Sequence, residues 1–303
     1  MSEKLDSKRI VIYLGLAFGF AWAVGLVIYL TGGLVDSPVL IPGTGITLAT
    51  VLLATGYMWA PALAHLLTRV VTQEGWQDLS LRPCLKQGWP YWVAAWFVPA
   101  LATIAGGALF FVLFPRYFDA SLAVVRELLA QSGQTLPFGP WVLVGIQTLS
   151  GVLMAPLINS FFTFGEEFGW RGYLQPKLMP LGGRRAMLLM GLIWGVWHWP
   201  AIAMGHNYGL HYPGAPWLGM LMMVWFTFVT GTFLGWITLR GKSVWPAVIG
   251  HAAINGISPL AALFVKGTPN PLLGPLPVGL VGAAGWALLA ALILWKGRWG
   301  EER

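Results

Sequence analysis

An all-α bundle of about eight transmembrane helices with both termini cytoplasmic is the fold class that this sequence predicts, and three observations predict it. Of 303 residues, 57% are hydrophobic and only 10% are charged, roughly half the charged share of a soluble domain. Apolar runs of about 20 residues, enough to cross a ~30 Å hydrocarbon core as a helix, recur along the chain. Lys and Arg concentrate in alternate connections between those runs, the asymmetry that orients membrane proteins.

The first run, near 10 to 31, follows the polar stretch MSEKLDSKR. It is longer than a signal-peptide core and lacks a persuasive small-residue cleavage site, so it reads as a retained span. The second and third, near 44 to 68 and 89 to 114, flank a basic connection holding Arg69, Arg82 and Lys86. A more polar stretch with Arg116, Asp119, Arg126, Glu127 and Gln134 comes next, and its apolar positions suit a short interfacial helix. The fourth run, near 141 to 165, ends against Glu166 and Glu167; the others lie near 186 to 205, 217 to 239, 244 to 265 and 276 to 295. Trp89, Trp92, Trp141, Trp217 and Trp295 fall near span ends and read as interfacial anchors. No internal repeat or low-complexity tract divides the chain, so 1–303 reads as one membrane domain.

Basic residues assign the sides. Lys4, Lys8, Arg9, Arg69, Arg82, Lys86, Lys177, Arg184, Arg185, Arg240, Lys242, Lys296, Arg298 and Arg303 fall on one side, against Arg116, Arg126 and Lys266 on the other. That bias places both termini in the cytoplasm and accounts for the net charge of +7 without a nucleic-acid partner. Cys84 is the only cysteine, which excludes an intrachain disulfide and a thiolate metal cluster.

Of the eleven acidic residues, only Glu166 and Glu167 sit against a membrane span. Ionisable groups at that depth are costly unless paired or facing a wet cavity. Glu167 and Arg171 lie one helical turn apart, a favourable i, i+4 pair, while Glu166 points about a quarter turn away. The spacing makes Glu167 an ionised brace and Glu166 a candidate general base towards water; the rival is a salt-bridged helix end, since Gly169, Gly172 and Pro176 suggest that the helix loosens there. His198 precedes Trp199 and Pro200 in the fifth span, where the proline frees the Val196 carbonyl and bends the helix. His251 and Asn255, at i, i+4, project from one face of the seventh span. Each of these also suits a hydrogen bond between helices, and His65 and Asn159 read mainly as such contacts. His206 and His211 belong to the loop GHNYGLHYPGAP, on the side away from the glutamates.

Several hydrolytic chemistries are missing from the sequence. It contains no HExxH zinc helix, no aspartate in a span for an aspartyl dyad, and no intramembrane serine in a nucleophile turn. Cys84 lies in a connection, far from every histidine in sequence. Water attack assisted by Glu and His remains.

The segments EEFGWR at 166 to 171, WGVWH at 194 to 198 and HAAIN at 251 to 255 resemble the EExxxR, FxxxH and HxxxN motifs of the CAAX protease and bacteriocin-processing family. The resemblance runs over about 141–265, which would be the catalytic core. It implies an eight-span intramembrane endopeptidase in which Glu166 and His198 activate water, His251 and Asn255 stabilise the oxyanion, and Glu167 and Arg171 brace the helix. Trp194 departs from the usual Phe and is expected to keep an aromatic wall. The implied partners are membrane lipid and a peptide or protein substrate, lipidated in the best-known members, and the implied location is a prokaryotic cytoplasmic membrane. No cofactor is expected. A zinc-dependent version held by Glu166, His198 and His251 is the nearest rival, and Asn255, a poor zinc ligand but a good oxyanion donor, favours the metal-free form. A non-catalytic scaffold or bacteriocin immunity factor is a second rival, and a transporter, which would show repeated halves, a third.

Overall fold

Helices form along the apolar runs and stop where the sequence withdraws a backbone donor or supplies a cap. The computed structural model describes residues 5–132, 137–297 and 299; Lys4, Gln134, Arg298 and Arg303 lie outside them. Helix α1 spans Ser7–Leu30 and is capped by Asp6, whose carboxylate accepts from the Arg9 amide at 3.2 Å. A short antiparallel hairpin follows, β1 (Val39–Ile41) paired with β2 (Ile46–Thr47), so the second span begins at residue 48, a few residues later than expected. Thr47 caps α2 (Leu48–Leu52), which passes through a widened π turn (Leu53–Tyr57) towards α3 (Ala60–Thr72). Helix α4 is Leu85–Leu113, and the short helix expected in the polar connection is α5, Ala123–Ser132.

Among the described residues, five helical runs are long and apolar enough to cross a membrane: Ser7–Leu30, Leu48–Thr72, Leu85–Leu113, Trp217–Gly241 and Trp245–Phe264. The other three expected spans are interrupted. The fourth divides into α6 (Pro140–Leu153), α7 (Ala155–Ile158) and α8 (Ser160–Gly169), continued by a π turn (Trp170–Leu174) and α9 (Gln175–Leu178). Pro156 has no N–H to offer the carbonyl four residues back, and that carbonyl, Val152 O, accepts instead from the Trp96 indole at 2.8 Å. The fifth divides at His198 into α10 (Gly183–Trp197) and α11 (Trp199–Ala203). The end of α10 is also held from outside, Trp197 O accepting from Tyr57 Oη at 2.5 Å and Trp22 Nε1 at 3.2 Å. After α12 (Trp217–Gly241) and α13 (Trp245–Ile257, extended as a 3₁₀ turn to Phe264), the eighth span is helical only in α14, Ala284–Lys296.

Helix α12 is central and packs on α10, α4, α14 and α13, while α3 packs on α1 and α8. Helix α8 lies directly against the start of α3 and the residues before it. A Cβ at Gly165 would lie 2.7 Å from Met58 O, and one at Gly169 would lie 2.5 Å from the Pro61 backbone. These glycines, four apart, let the two backbones touch, and they bracket Glu166 and Glu167.

The basic connections meet at one end of the bundle. Glu74 pairs with Arg9 at 3.4 Å and with Lys177 at 2.5 Å. Burial alone would raise the Glu74 carboxyl, but hydrogen bonds from Lys177 and Tyr173 and the charges of Lys177 and Arg69 outweigh it and hold the group below its ordinary range. Nearby, Val244 N donates to Ser80 O and the Trp245 indole to Leu81 O. At the opposite end Phe118 pairs with Val265, and Lys266 N donates to Tyr117 O. Trp89, Trp141, Trp217 and Trp295 are exposed, whereas Trp92 is half-buried and its indole donates to Pro83 O at 3.2 Å.

Candidate active site

The site begins where α8 widens into the π turn. Such one-turn widenings recur at functional sites because they re-aim side chains along a helix, and this one accounts for the loosening that Gly169, Gly172 and Pro176 suggest. Glu166 and Glu167 occupy the last regular turn and Arg171 the widened one. All three are buried, at 2%, 0% and 1% exposure.

Glu167 is shared. Its Oε1 accepts from Arg171 Nη1 at 3.0 Å and from His251 Nδ1 at 2.8 Å. The i, i+4 pair is the one that helical geometry predicts; the bond to His251 is an addition. Because a carboxylate beside a guanidinium accepts rather than donates, His251 carries its proton on Nδ1, and Glu167 thereby fixes the orientation of the ring. Among the described residues, Glu167 Oε2 and Arg171 Nε and Nη2 find no protein partner, so this buried pair is costly and highly placed. Gly231 of α12 leaves room for it: a Cβ there would lie 3.1 Å from Arg171 Nη2.

Trp194 gathers the rest. Its indole N–H donates to Glu166 Oε2 at 2.8 Å, and the Arg171 guanidinium lies over its ring at 4.4 Å. The His251 ring meets it edge-on at 5.3 Å between centroids, and the His198 ring lies at 5.6 Å. His198 closes α10, and its Nδ1 bonds to Trp194 O at 2.7 Å. A carbonyl only accepts, so Nδ1 carries the hydrogen and Nε2 presents a lone pair. Glu166, Glu167, Arg171, His198 and His251, from three separate helical segments, are thus arranged about one indole. Asn255 is one turn beyond His251 on α13 and is exposed, whereas His251 is buried.

Two cavities lie elsewhere. One, of about 440 Å³, is between α4 and the turn after α13 near Phe111 and Phe264; the other, of about 280 Å³, is between α6 and α13 near Gln147 and Gly256.

The zinc alternative can be weighed against these positions. Among the described residues, no three His, Cys, Asp or Glu side chains are gathered closely enough to hold a metal ion. Glu166, His198 and His251 each lie against the Trp194 indole without gathering to coordination distance, so the donor set does not fit zinc as arranged. No step below runs through a metal.

Sequence reasoning missed what Trp194 does. It is more than a wall: a buried indole N–H needs an acceptor, and its position one turn before His198 and near a buried carboxylate is the signal that points to one. Trp194→Phe keeps the aromatic surface and removes the donor. A hydrogen bond to a charged group contributes about 1.5–3 kcal/mol, so the thermal midpoint is expected to fall, and any activity that needs Glu166 held in place to fall by about 10- to 100-fold. Wild-type turnover in this variant would show that Glu166 does not depend on the indole.

A polytopic helical membrane protein with a buried Glu–Arg–His cluster is the class that the fold and the site define. Residues 141–257 match the family described as Type II CAAX prenyl endopeptidase Rce1-like. A CAAX prenyl protease 2 of Methanococcus maripaludis is 31% identical over 93 residues, which are 30% of this chain and 34% of that protein. The chain thus spans about a third of the curated relative's length. The segment from α6 to α13 is thus similar to CAAX prenyl proteases.

Proposed function

We propose that the chain is an intramembrane endopeptidase that cleaves a membrane-associated peptide or protein, of the CAAX type that its relative's name describes. The observation that carries this reading is the buried Glu166 carboxylate, held by Trp194 with His198 and His251 about the same indole, inside the family-matching segment. The catalytic core is the stretch 141–265, in a prokaryotic cytoplasmic membrane with both termini in the cytoplasm.

The donor and acceptor pattern suggests how the reaction runs. Glu166 Oε1 and His198 Nε2 both accept, so together they can take the two hydrogens of one water and turn its lone pair towards the scissile carbonyl. The water oxygen bonds to the carbonyl carbon, and one proton passes to Glu166. The His251 ring, donating from Nε2 when both nitrogens carry a proton and Glu167 is its counter-charge, and the exposed Asn255 amide meet the oxyanion; losing one such donor typically costs about 3 kcal/mol of barrier. Collapse breaks the C–N bond, and the proton on Glu166 leaves with the amine.

Membranes containing the wild-type chain or the Glu166→Ala variant test this directly, by mass spectrometry of the peptides each accumulates. Fragments present only with the wild type are expected and would identify the bond. Identical peptide sets would favour a non-catalytic scaffold or a bacteriocin immunity factor. Cleavage is expected to survive chelation, and a complete loss restored specifically by Zn²⁺ would overturn the metal-free mechanism.

A further inference from the structure

His65 lies on α3, outside the family-matching segment, and is fully buried. The contact it makes between helices is a specific one. Its Nδ1 bonds to Phe168 O at 2.9 Å, and its Nε2 accepts from Arg69 Nε at 2.7 Å. Both partners are one-way: a carbonyl only accepts, and a guanidinium only donates. The imidazole is therefore neutral, with its hydrogen on Nδ1, and a second proton would set an N–H against the Arg69 cation.

Phe168 follows Glu166 and Glu167 in the same turn, directly before the π widening. Where helical pairing shifts register, a carbonyl fixed by a side chain sets how the preceding residues are rotated. On its other side His65 is anchored at the basic end, because Arg69 Nη1 also donates to Gly75 O at 2.7 Å and Gln77 O at 3.1 Å. The His65 ring packs on Phe168 and Tyr173, with centroids 4.3 and 4.5 Å away.

We propose that His65 is a positioning residue for the Glu166–Glu167 turn: as a neutral imidazole it carries the anchorage of Arg69 to the Phe168 carbonyl. It touches no reacting atom and acts by fixing the direction in which Glu166 presents its free oxygen. The effect on turnover rests on the peptidase reading; the effect on the turn does not.

The two imidazole nitrogens are separable by substitution. Asn places an amide where Nδ1 stood and keeps the donor to Phe168 O. Gln reaches the Nε2 position and keeps an acceptor for Arg69, while Phe keeps the ring packing and neither bond. Two measurements on the full chain in detergent are read together: amide hydrogen exchange over 166–174, and kcat and KM on a fluorogenic farnesylated CAAX peptide. Exchange over this segment is expected to rise in His65→Phe and His65→Gln and to stay near wild type in His65→Asn. In the first two, kcat is expected to fall on the order of 10- to 100-fold, the scale for a misplaced catalytic group, with KM within about 3-fold and kcat largely retained in His65→Asn. Unchanged exchange in His65→Phe, or equal losses in Asn and Gln, would overturn the proposal. If the wild type leaves the peptide intact while exchange follows the expected order, the peptidase reading falls for that substrate and the positioning role stands.

Discussion

Glu166→Gln is expected to lower cleavage by about 10²–10⁴-fold, the contribution typical of a positioned general base. Gln is nearly the same size, and its amide oxygen can still accept from the Trp194 indole, so the packing around residue 166 is kept. The capacity to take a proton from water is lost. His198→Ala is expected to fall into the same range, because the water then has one acceptor instead of two. Both variants are to be compared with the wild type by initial rates on the same membrane-anchored peptide and by thermal unfolding. A Glu166→Gln chain that cleaves at the wild-type rate would remove Glu166 from the role of base. One that is inactive only because it unfolds would leave its midpoint well below that of the wild type.

Arg171→Met is expected to have the largest effect on stability. The guanidinium is 1% exposed, and its partner Glu167 is fully buried. Removing one member of a buried pair leaves the other charge uncompensated, at a cost of about 3–5 kcal/mol. The stacking of Arg171 on Trp194 is lost as well. The double variant Glu167→Gln/Arg171→Met is expected to recover part of this loss, because no lone charge is then buried. It is not expected to recover turnover, since the carboxylate that accepts from His251 Nδ1 is gone. Thermal midpoints of the two single variants and the double variant form a cycle. Simple additivity in that cycle would mean that the pair contributes no coupling.

Much of this arrangement was legible in the chain. The Glu167–Arg171 contact follows from helical spacing alone, and the apolar runs without interior breaks, such as 217 to 239, became continuous helices with nearly the expected ends. What was not legible depends on how helices rotate against one another. Nothing within 166–171 indicates that one oxygen of Glu167 serves both Arg171 and His251, because the second bond joins residues 84 apart. Pro156 and Pro200 signal breaks, but only the folded chain reveals that Trp96 donates to the carbonyl that Pro156 frees, and that Trp22 and Tyr57 hold the neighbouring Trp197 carbonyl at the second break. The hairpin at 39–47 was hidden because its apolar residues are of the same kind as those of the adjoining span. Gly169 suggests a loosening in the sequence, yet with Gly165 it is where α8 lies directly against the backbone of Met58 and Pro61.

The external ties on Trp197 and Phe168 bear on modularity. The segment 141–257 is what the chain shares with its relatives, yet the carbonyl before His198 is held from α1 and from the π turn before α3, and the carbonyl after the glutamate pair is held by His65. A chimera that exchanges only this segment would import the motifs and discard their mountings. The natural exchange boundary for grafting specificity between such proteins therefore lies ahead of α1 rather than ahead of α6, and a donor segment transplanted without its own α1 to α3 would have to find new partners for Trp197 and Phe168 in the host.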